Sequence, residues 1–126
     1  MKALRIRTSA KDRVLDITST VEAQLEAPDG LCTVFAAHTT CALTTADLDP
    51  GTDLDLLEAF RKLLPAIRYR HPHDPSHTPD HILASLIGPS VSIPVRAGKL
   101  VLGVWQRIVL IELDGPRERN VYVTVR

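Results

Sequence analysis

Alternating apolar and polar side chains open the chain. Residues 3–8 alternate leucine and isoleucine with arginine, and a second apolar segment, residues 14–17, follows the polar residues 9–13. An alternation of period two is typical of a strand with one buried face. We therefore expect these two segments to form an antiparallel β-hairpin.

The next segments predict a short helix and then a strand that ends in a histidine. Thr18 or Ser19 can cap a helix that runs through residues 24–26, and the turn at residues 28–30 precedes an apolar strand over residues 31–38. Period-two spacing places His38 on the same face as the apolar side chains of that strand. Residues 39–45 continue as extended chain.

Two longer helices follow. Apolar side chains recur at helical spacing over residues 56–64, after a start at Asp49-Pro50 or Thr52, and Pro65 ends this helix. Thr78-Pro79 is typical of an N-cap followed by the first helical residue, and Gly88 ends the second helix. The intervening residues 65–79 hold four prolines and three histidines, which predicts a loop.

The remaining pattern is again typical of strands, which we place at residues 91–95, 100–113 and 121–126, with turns at 97–98 and 115–116. Together the segments predict one α+β domain over residues 1–126, with about seven mostly antiparallel strands and two main helices.

Composition narrows the classes of function. The 126 residues hold fifteen Lys+Arg and fifteen Asp+Glu, so the formal net charge is zero. This balance argues against non-specific binding to nucleic acid or to anionic membranes. No apolar stretch is long enough for a membrane helix, and the charged beginning does not resemble a signal peptide, so we expect a cytoplasmic protein. Cys32 and Cys41 form no disulfide framework and are expected to be small buried apolar groups.

The densest cluster of chemically active side chains spans residues 71–81, with four histidines and two aspartates. Imidazole and carboxylate groups are common ligands of zinc and similar metals. His77 and His81 have the spacing of a helical metal pair, but Pro79 separates them, so we place His77 outside the helix and His81 in its first turn. A neutral His81 could then bind a metal or act as a base. The alternative is a solvated polar loop.

Other candidate residues are more isolated. His38 could be a ligand or general base, or a strand-end histidine bonded to Thr39 or Thr40. Gln106 falls on an apolar face of the strand predicted over residues 100–113, where a buried amide needs a partner in the protein or a ligand. Asp47 and Asp49 could bind a cation, although Asp49 is more simply a helix cap. Five arginines could contact phosphate: Arg68, Arg70, Arg96, Arg107 and Arg119.

A series of short motifs, in order along nearly the whole chain, resembles the YjbQ family, also known as UPF0047. The motifs are His38-Thr39-Thr40-Cys41-Ala42-Leu43-Thr44, Tyr69-x-His71, Pro79-x-His81-Ile82, Leu86-Ile87-Gly88-x-Ser90, Ile93-Pro94, Gly98-x-Leu100-x-Leu102-Gly103-x-Trp105-Gln106, and Glu112 with Arg117 and Arg119.

The resemblance implies a compact α+β fold of antiparallel sheets that assembles as a homotrimer. It also implies a pocket around His38, His71 and His81, with Gln106 nearby. We accordingly assign His38, His71 and His81 as ligands of a divalent metal such as zinc. His38, His81 and Gln106 are the predicted catalytic residues, and Arg119 the predicted cofactor-binding residue.

Two departures from the family pattern affect the metal expectation. Ala46-Asp47 stands where the family usually has Asn-Glu, and residues 76–81 replace a segment that usually carries paired acids. Acidic ligands are thus lost or exchanged for His77, which favours a nitrogen-rich site over a hard-cation site.

The family resemblance implies a secondary thiamine-phosphate synthase activity, which joins a pyrimidine diphosphate to a thiazole phosphate and expels pyrophosphate. Such chemistry needs cationic groups or a metal at the leaving group. The expected partners are a small phosphorylated metabolite and further copies of the chain. The alternative is a trimeric module that binds a metal or metabolite without turnover.

Overall fold

The structure, a computed structural model, describes all residues 1–126 as two antiparallel sheets and three α-helices. In chain order the elements are β1 (Lys2–Arg7), β2 (Arg13–Asp16), α1 (Thr18–Glu22), β3 (Gly30–Ala36), β4 (Cys41–Ala46), α2 (Thr52–Lys62), a short 3-10 helix (Pro75–His77), α3 (Thr78–Ile87), β5 (Ser90–Arg96), β6 (Lys99–Leu100), β7 (Arg107–Glu112) and β8 (Glu118–Val125). The predicted α+β class is confirmed.

The two sheets and the helices form three layers. One sheet has the strand order β1-β8-β3-β5-β6, and the other has the order β2-β7-β4. Alternate residues of β7 face opposite ways: Ile108 and Leu110 pack between the sheets, whereas Val109 and Ile111 pack against α2 and α3. Burial of both faces explains the unbroken apolar run of this strand, in which each fully buried side chain contributes about 1.5–3 kcal/mol.

The predicted hairpin of the first two strands is wrong. β1 pairs with β8 in the five-stranded sheet, while β2 pairs with β7 in the three-stranded sheet. Thr8, which is buried and donates a hydrogen bond to Glu112, begins the crossing between the sheets. Asp12, with φ of 55°, precedes β2 and completes the turn. Alternation identified the strands, but their partners are remote in sequence.

The strand predicted over residues 100–113 is also wrong, because it consists of two strands in different sheets. β6 pairs with β5 in the five-stranded sheet, and β7 pairs with β2 and β4 in the other. Between them, the N–H of Gln106 donates to the carbonyl of Gly103 at 3.0 Å and closes a turn. The chain uses this segment to cross from one sheet to the other.

The helix predictions agree closely with the structure. The first helix begins at Thr18, although it ends at Glu22, and the Asp16 carboxylate accepts from the Thr18 N–H at 3.0 Å. The second begins at Thr52 after Gly51, whose φ is 93°, so Asp49 is not its N-cap. The third begins at Thr78, one residue earlier than predicted because His77 rather than Thr78 is its N-cap, and it ends before Gly88. None of the three has the length and apolar character that a membrane span needs.

The two cysteines are free and buried, as the sequence predicts. Burial raises the pKa of the Cys41 thiol to about 11. Both therefore act as small packing groups in the core between the sheets.

Candidate functional site

The segment His38-Thr39-Thr40 is the crossing from β3 in one sheet to β4 in the other. β3 ends at Ala36, two residues before the histidine, so the predicted strand over residues 31–38 is shorter than expected. The crossing places His38 and Thr39 at the edge of the layers, where α3 begins.

His38 is half-buried and faces the start of β8. Its Nε2 accepts a hydrogen bond from the backbone N–H of Asn120 at 2.7 Å, rather than bonding to Thr39 or Thr40. Burial, together with the positive charge of Arg119, lowers the pKa of His38. A neutral imidazole has one acceptor and one donor nitrogen, so Nδ1 carries the proton and is the nitrogen left to donate to a ligand.

His81 lies in the first turn of α3, as predicted. Its Nδ1 lies 3.1 Å from the carbonyl oxygen of Thr39. A carbonyl can only accept, so Nδ1 is the donor and the lone pair of neutral His81 is at Nε2. This hydrogen bond fixes the ring orientation and leaves Nε2 available as a base or ligand.

His71 stacks on His81. The two ring centroids are 5.0 Å apart and the rings are inclined by 13°. The Nδ1 of His71 accepts from the N–H of Asp74 at 3.3 Å, so its Nε2 carries the proton and can donate. The loop between α2 and α3 therefore brings a second imidazole beside His81, and His77 lies outside the helix as predicted.

Three connected lobes meet at Thr39 and His81, and we call the whole space the histidine cleft. The His38 lobe, of about 530 Å³, is also lined by His38, Ala84, Ser85 and Pro89. The loop lobe, of about 430 Å³, adds Ile67, Arg68, Tyr69, Arg70, His71 and Thr78. The Arg117 lobe, of about 400 Å³, adds Ala37, His38, Thr40, His77, Asp114, Arg117 and Arg119.

A buried ion pair supports the floor of this cleft. Arg119 donates to Glu112 through Nε, at 2.8 Å, and through Nη2, which also donates to the Thr40 carbonyl at 3.1 Å. Burial alone would raise the pKa of Glu112, but hydrogen bonds from Arg119, from Thr8 and from the N–H of Asp114 outweigh it and lower the pKa. The pair thus holds the His38-Thr39-Thr40 crossing in place.

Arg119 contributes little free charge to a ligand. Its side chain is only 2% exposed, and two of its three nitrogens are engaged, which leaves Nη1. The predicted role of Arg119 in cofactor binding stays a prediction, and its observed contacts are those of a positioning residue.

The hydrogen bonds of the three histidines do not fit a shared metal ion. A metal needs a lone pair from each imidazole, but those of His38 and His71 already accept backbone N–H groups. Only His81 Nε2 is free. No group of three or more His, Cys, Asp or Glu side chains is arranged to hold a metal. The donor set instead suits an oxygen-rich anion.

Comparison with known proteins identifies the family. The family model for YjbQ-like UPF0047 proteins matches residues 2–126. The chain belongs to the UPF0047 family. A UPF0047 protein of Archaeoglobus fulgidus is 43% identical over 121 residues, which cover 95% of this chain and 96% of that protein. YugU of Bacillus subtilis is 35% identical over 127 residues, covering 98% and 96%.

Solved structures of similar proteins share the fold. The conserved hypothetical protein TT1486 of Thermus thermophilus superposes with a TM-score of 0.90 at 35% identity, covering all of both chains. A YbjQ-like protein of unknown function from Sulfolobus solfataricus gives 0.88 at 32% identity, covering 97% of this chain and 92% of that one. These similarities establish the family and the fold.

Gln106 of this UPF0047 chain lies away from the histidine cleft. Its Nε2 donates to Thr45 at 3.0 Å and its Oε1 accepts from the N–H of Gly103 at 3.1 Å. Residues 41–46 pair with β7, which puts Thr45 four residues along β4 from Cys41 and about 13 Å from the cleft end of the strand. The expectation of a buried amide is wrong, because Gln106 is exposed and braces the turn that carries Trp105.

Two contributors to the UPF0047 cleft are not recognisable from the sequence. Thr78, which the sequence predicts only as a helix cap, is one of the residues that line the loop lobe, and its Oγ1 is buried without a hydrogen-bond partner. Asn120 acts through its backbone N–H, which no side-chain pattern reveals.

Proposed function

We propose that the chain is an enzyme of the UPF0047 family that acts on a phosphorylated metabolite in the histidine cleft. The observation that carries the proposal is the set of hydrogen bonds around the three histidines. His38 Nδ1 and His71 Nε2 are left as donors, and His81 Nε2 is left as the one lone pair. Two donors beside one base or acid suit the stabilisation and protonation of developing negative charge.

The reaction that we propose to test first is the thiamine-phosphate synthesis implied by the family resemblance. The bond between the methylene carbon of the pyrimidine and the diphosphate oxygen breaks, and its electron pair leaves with the diphosphate. The ring nitrogen of the thiazole phosphate forms the new bond to that carbon. No proton is gained or lost at carbon, so catalysis depends on stabilising the leaving group and excluding water.

The chain offers several groups for that purpose. His38, whose Nδ1–H is free, lines two of the three lobes, and Arg117 borders one of them. His81, when protonated at Nε2, would pass that proton to the departing diphosphate and become neutral, and it would take up a proton from water before the next turnover. The metal-assisted version of the reaction needs a different arrangement of hydrogen bonds at His38 and His71.

The test is pyrophosphate release from the two precursors by the wild type and by His81→Asn. Asparagine keeps an N–H near the Nδ1 position for the Thr39 carbonyl but removes the Nε2 group, so we expect normal folding and a rate about 10²–10⁴-fold lower. His73→Ala is the matched control, because His73 lines none of the three lobes. Tight precursor binding without turnover in the wild type would instead support the binding module.

We further propose that the chain acts as a cytoplasmic homotrimer. The outer face of the five-stranded sheet exposes Leu31 and Phe35, and the turn before β7 exposes Val104 and Trp105. Exposed apolar side chains of this kind favour self-association. Light scattering should give three times the 13.9 kDa chain mass, and a monomer at working concentration would contradict the proposal. The two free cysteines suit a reducing compartment.

A further inference from the structure

The loop lobe carries positive charge that no carboxylate balances. Arg68 and Arg70 form no ion pair, and the lining of the lobe includes no aspartate or glutamate. The arginines of the neighbouring lobe differ, because Arg117 is paired with Asp114 and Arg119 with Glu112. The loop lobe therefore attracts an added anion more strongly than the Arg117 lobe does.

A second, independent feature of the same lobe is the unpartnered hydroxyl of Thr78. Its Oγ1 is the one buried side-chain oxygen or nitrogen of the protein that lacks a hydrogen-bond partner. Buried polar groups are nearly always paired, so an unpaired one calls for a missing partner. Thr78 is one of the residues that line the loop lobe, so its hydroxyl needs only to turn towards that space to donate to an anionic oxygen.

The loop that presents these groups is held by its own hydrogen bonds. The hydroxyl of Tyr69 donates to the Pro65 carbonyl at 2.5 Å, and Asp74 accepts from the N–H of Ser76 at 3.0 Å. The N–H of Asp74 in turn fixes His71, whose Nε2 is left as a donor. The residues that line this lobe thus carry two guanidinium groups, an imidazole N–H and a hydroxyl, a set of donors that suits the several oxygens of a phosphate group.

We propose that the loop lobe binds the non-reacting phosphate group of a phosphate monoester and that the rest of this substrate extends towards His81. The lobe shares His81 and Thr39 with the other two lobes, so a molecule held there by its phosphate end lies beside the His81 ring. The orientation rests on the proposed function, but the binding of phosphate itself does not.

The test is isothermal titration calorimetry, in which the full chain is titrated with inorganic phosphate and, separately, with glycerol phosphate. We expect saturable binding to the wild type that is weakened about tenfold or more in Arg68→Ala/Arg70→Ala. Arg96→Ala is the control, because Arg96 is an exposed arginine on another part of the surface. Equal binding by the double variant and the wild type would overturn the proposal, as would no saturable binding by the wild type.

The comparison of the two probes separates a monoester from free phosphate. The lobe volume of about 430 Å³ leaves room for the carbon chain of a monoester beyond its phosphate group. Glycerol phosphate should therefore bind at least as tightly as inorganic phosphate. Binding of inorganic phosphate with exclusion of glycerol phosphate would overturn the assignment to a monoester.

Thr78→Val distinguishes a role of the Thr78 hydroxyl in phosphate binding from a purely structural role. Valine keeps the shape and removes an unpaired hydroxyl, so phosphate binding should weaken without a fall in the thermal midpoint. Thr45→Val is the matched control: it removes a hydroxyl that accepts from Gln106, so it should lower stability and leave phosphate binding unchanged. A lower midpoint with unchanged phosphate binding in Thr78→Val would contradict the assigned role of the hydroxyl.

Failure of this inference is distinguishable from failure of the proposed function. Phosphate binding that depends on Arg68 and Arg70, without turnover of the thiamine precursors, would support the proposed phosphate subsite and contradict the proposed reaction. Turnover whose KM for the thiazole phosphate is unchanged in the double arginine variant would keep the reaction and reject the subsite. With both correct, that KM rises in the double variant while kcat changes little.

Discussion

The Nε2 atom of His38 accepts a hydrogen bond from the backbone N–H of Asn120, 2.7 Å away. The contact ties the crossing between the sheets to β8, and only an imidazole unprotonated at Nε2 can make it. Burial and the charge of Arg119 act in the same direction, because both lower the pKa of His38. The folded chain therefore favours neutral His38.

This preference predicts a loss of stability in mild acid. Because the pKa of folded His38 lies below its ordinary value of 6.5, the unfolded chain takes up the proton first as the pH falls. The contribution of neutral His38 to the free energy of unfolding is fully present above pH 6.5. As the pH falls from 6.5 to the lower pKa of the folded chain, this contribution is lost, with a slope of at most about 1.4 kcal/mol per pH unit. The pKa of Glu112, ordinarily 4.5, is also lowered, so its contribution is lost at lower pH.

The measurement is the free energy of unfolding in denaturant between about pH 8 and pH 5. His38→Gln keeps an acceptor for the Asn120 N–H but cannot titrate, so its stability should fall less steeply below about pH 6.5. His73→Gln controls for the loss of an exposed imidazole. Identical slopes for His38→Gln and the wild type would show that His38 is not held neutral.

The buried pair of Glu112 and Arg119 predicts a large penalty when one partner is removed. Arg119→Met leaves the Glu112 carboxylate buried with its charge unpaired and frees the Thr40 carbonyl, so we expect a loss of about 3–5 kcal/mol. The control is Arg107→Met, which breaks a more exposed pair with Asp16 and should cost less than about 1 kcal/mol.

A double-mutant cycle checks that the penalty comes from the pair. Glu112→Gln/Arg119→Met removes both charges, so its loss of unfolding free energy should be smaller than the sum of the two single losses. Strict additivity would mean that the two side chains act independently, contrary to their hydrogen bonds.

The features that sequence predicts well here are local ones. Pro65, the Thr78-Pro79 pair and Gly88 indicate helix ends, because backbone restrictions at these residues act within a few positions. The partner of β1 and the sheet change after Leu100 depend on contacts between distant segments, and alternation cannot specify them. The resemblance brought His38, His71 and His81 together in advance, but not the hydrogen bonds that decide which nitrogen is free.

Arg61, near the end of α2, links that helix to the first turn of α3. It donates to the fully buried Asp80 at 2.6 Å, and also to Asp12 and to the Leu113 carbonyl. Without Arg61, the buried Asp80 keeps only its longer ion pair with Lys11, at 3.4 Å. Because Asp80 precedes His81, Arg61→Met should lower stability by about 3 kcal/mol and reduce turnover by loosening the first turn of α3. The side chain of Lys62 is 75% exposed and pairs only with Glu58, so Lys62→Met should change both properties little. Equal effects of the two substitutions in denaturant unfolding would contradict the bridging role of Arg61.

The histidine hydrogen bonds also predict the outcome of metal analysis. His38 and His71 each use their lone pair on a backbone N–H, so a three-histidine site would have to break both contacts. We expect elemental analysis of the chelator-free protein, even after addition of zinc, to find well below one transition metal ion per chain. Near-stoichiometric metal that is lost in both His71→Ala and His81→Ala, each checked for folding, would support the metal site expected from the sequence. In that case His38 would ligate only after releasing Asn120, and metal binding would loosen the very crossing that the neutral imidazole now holds.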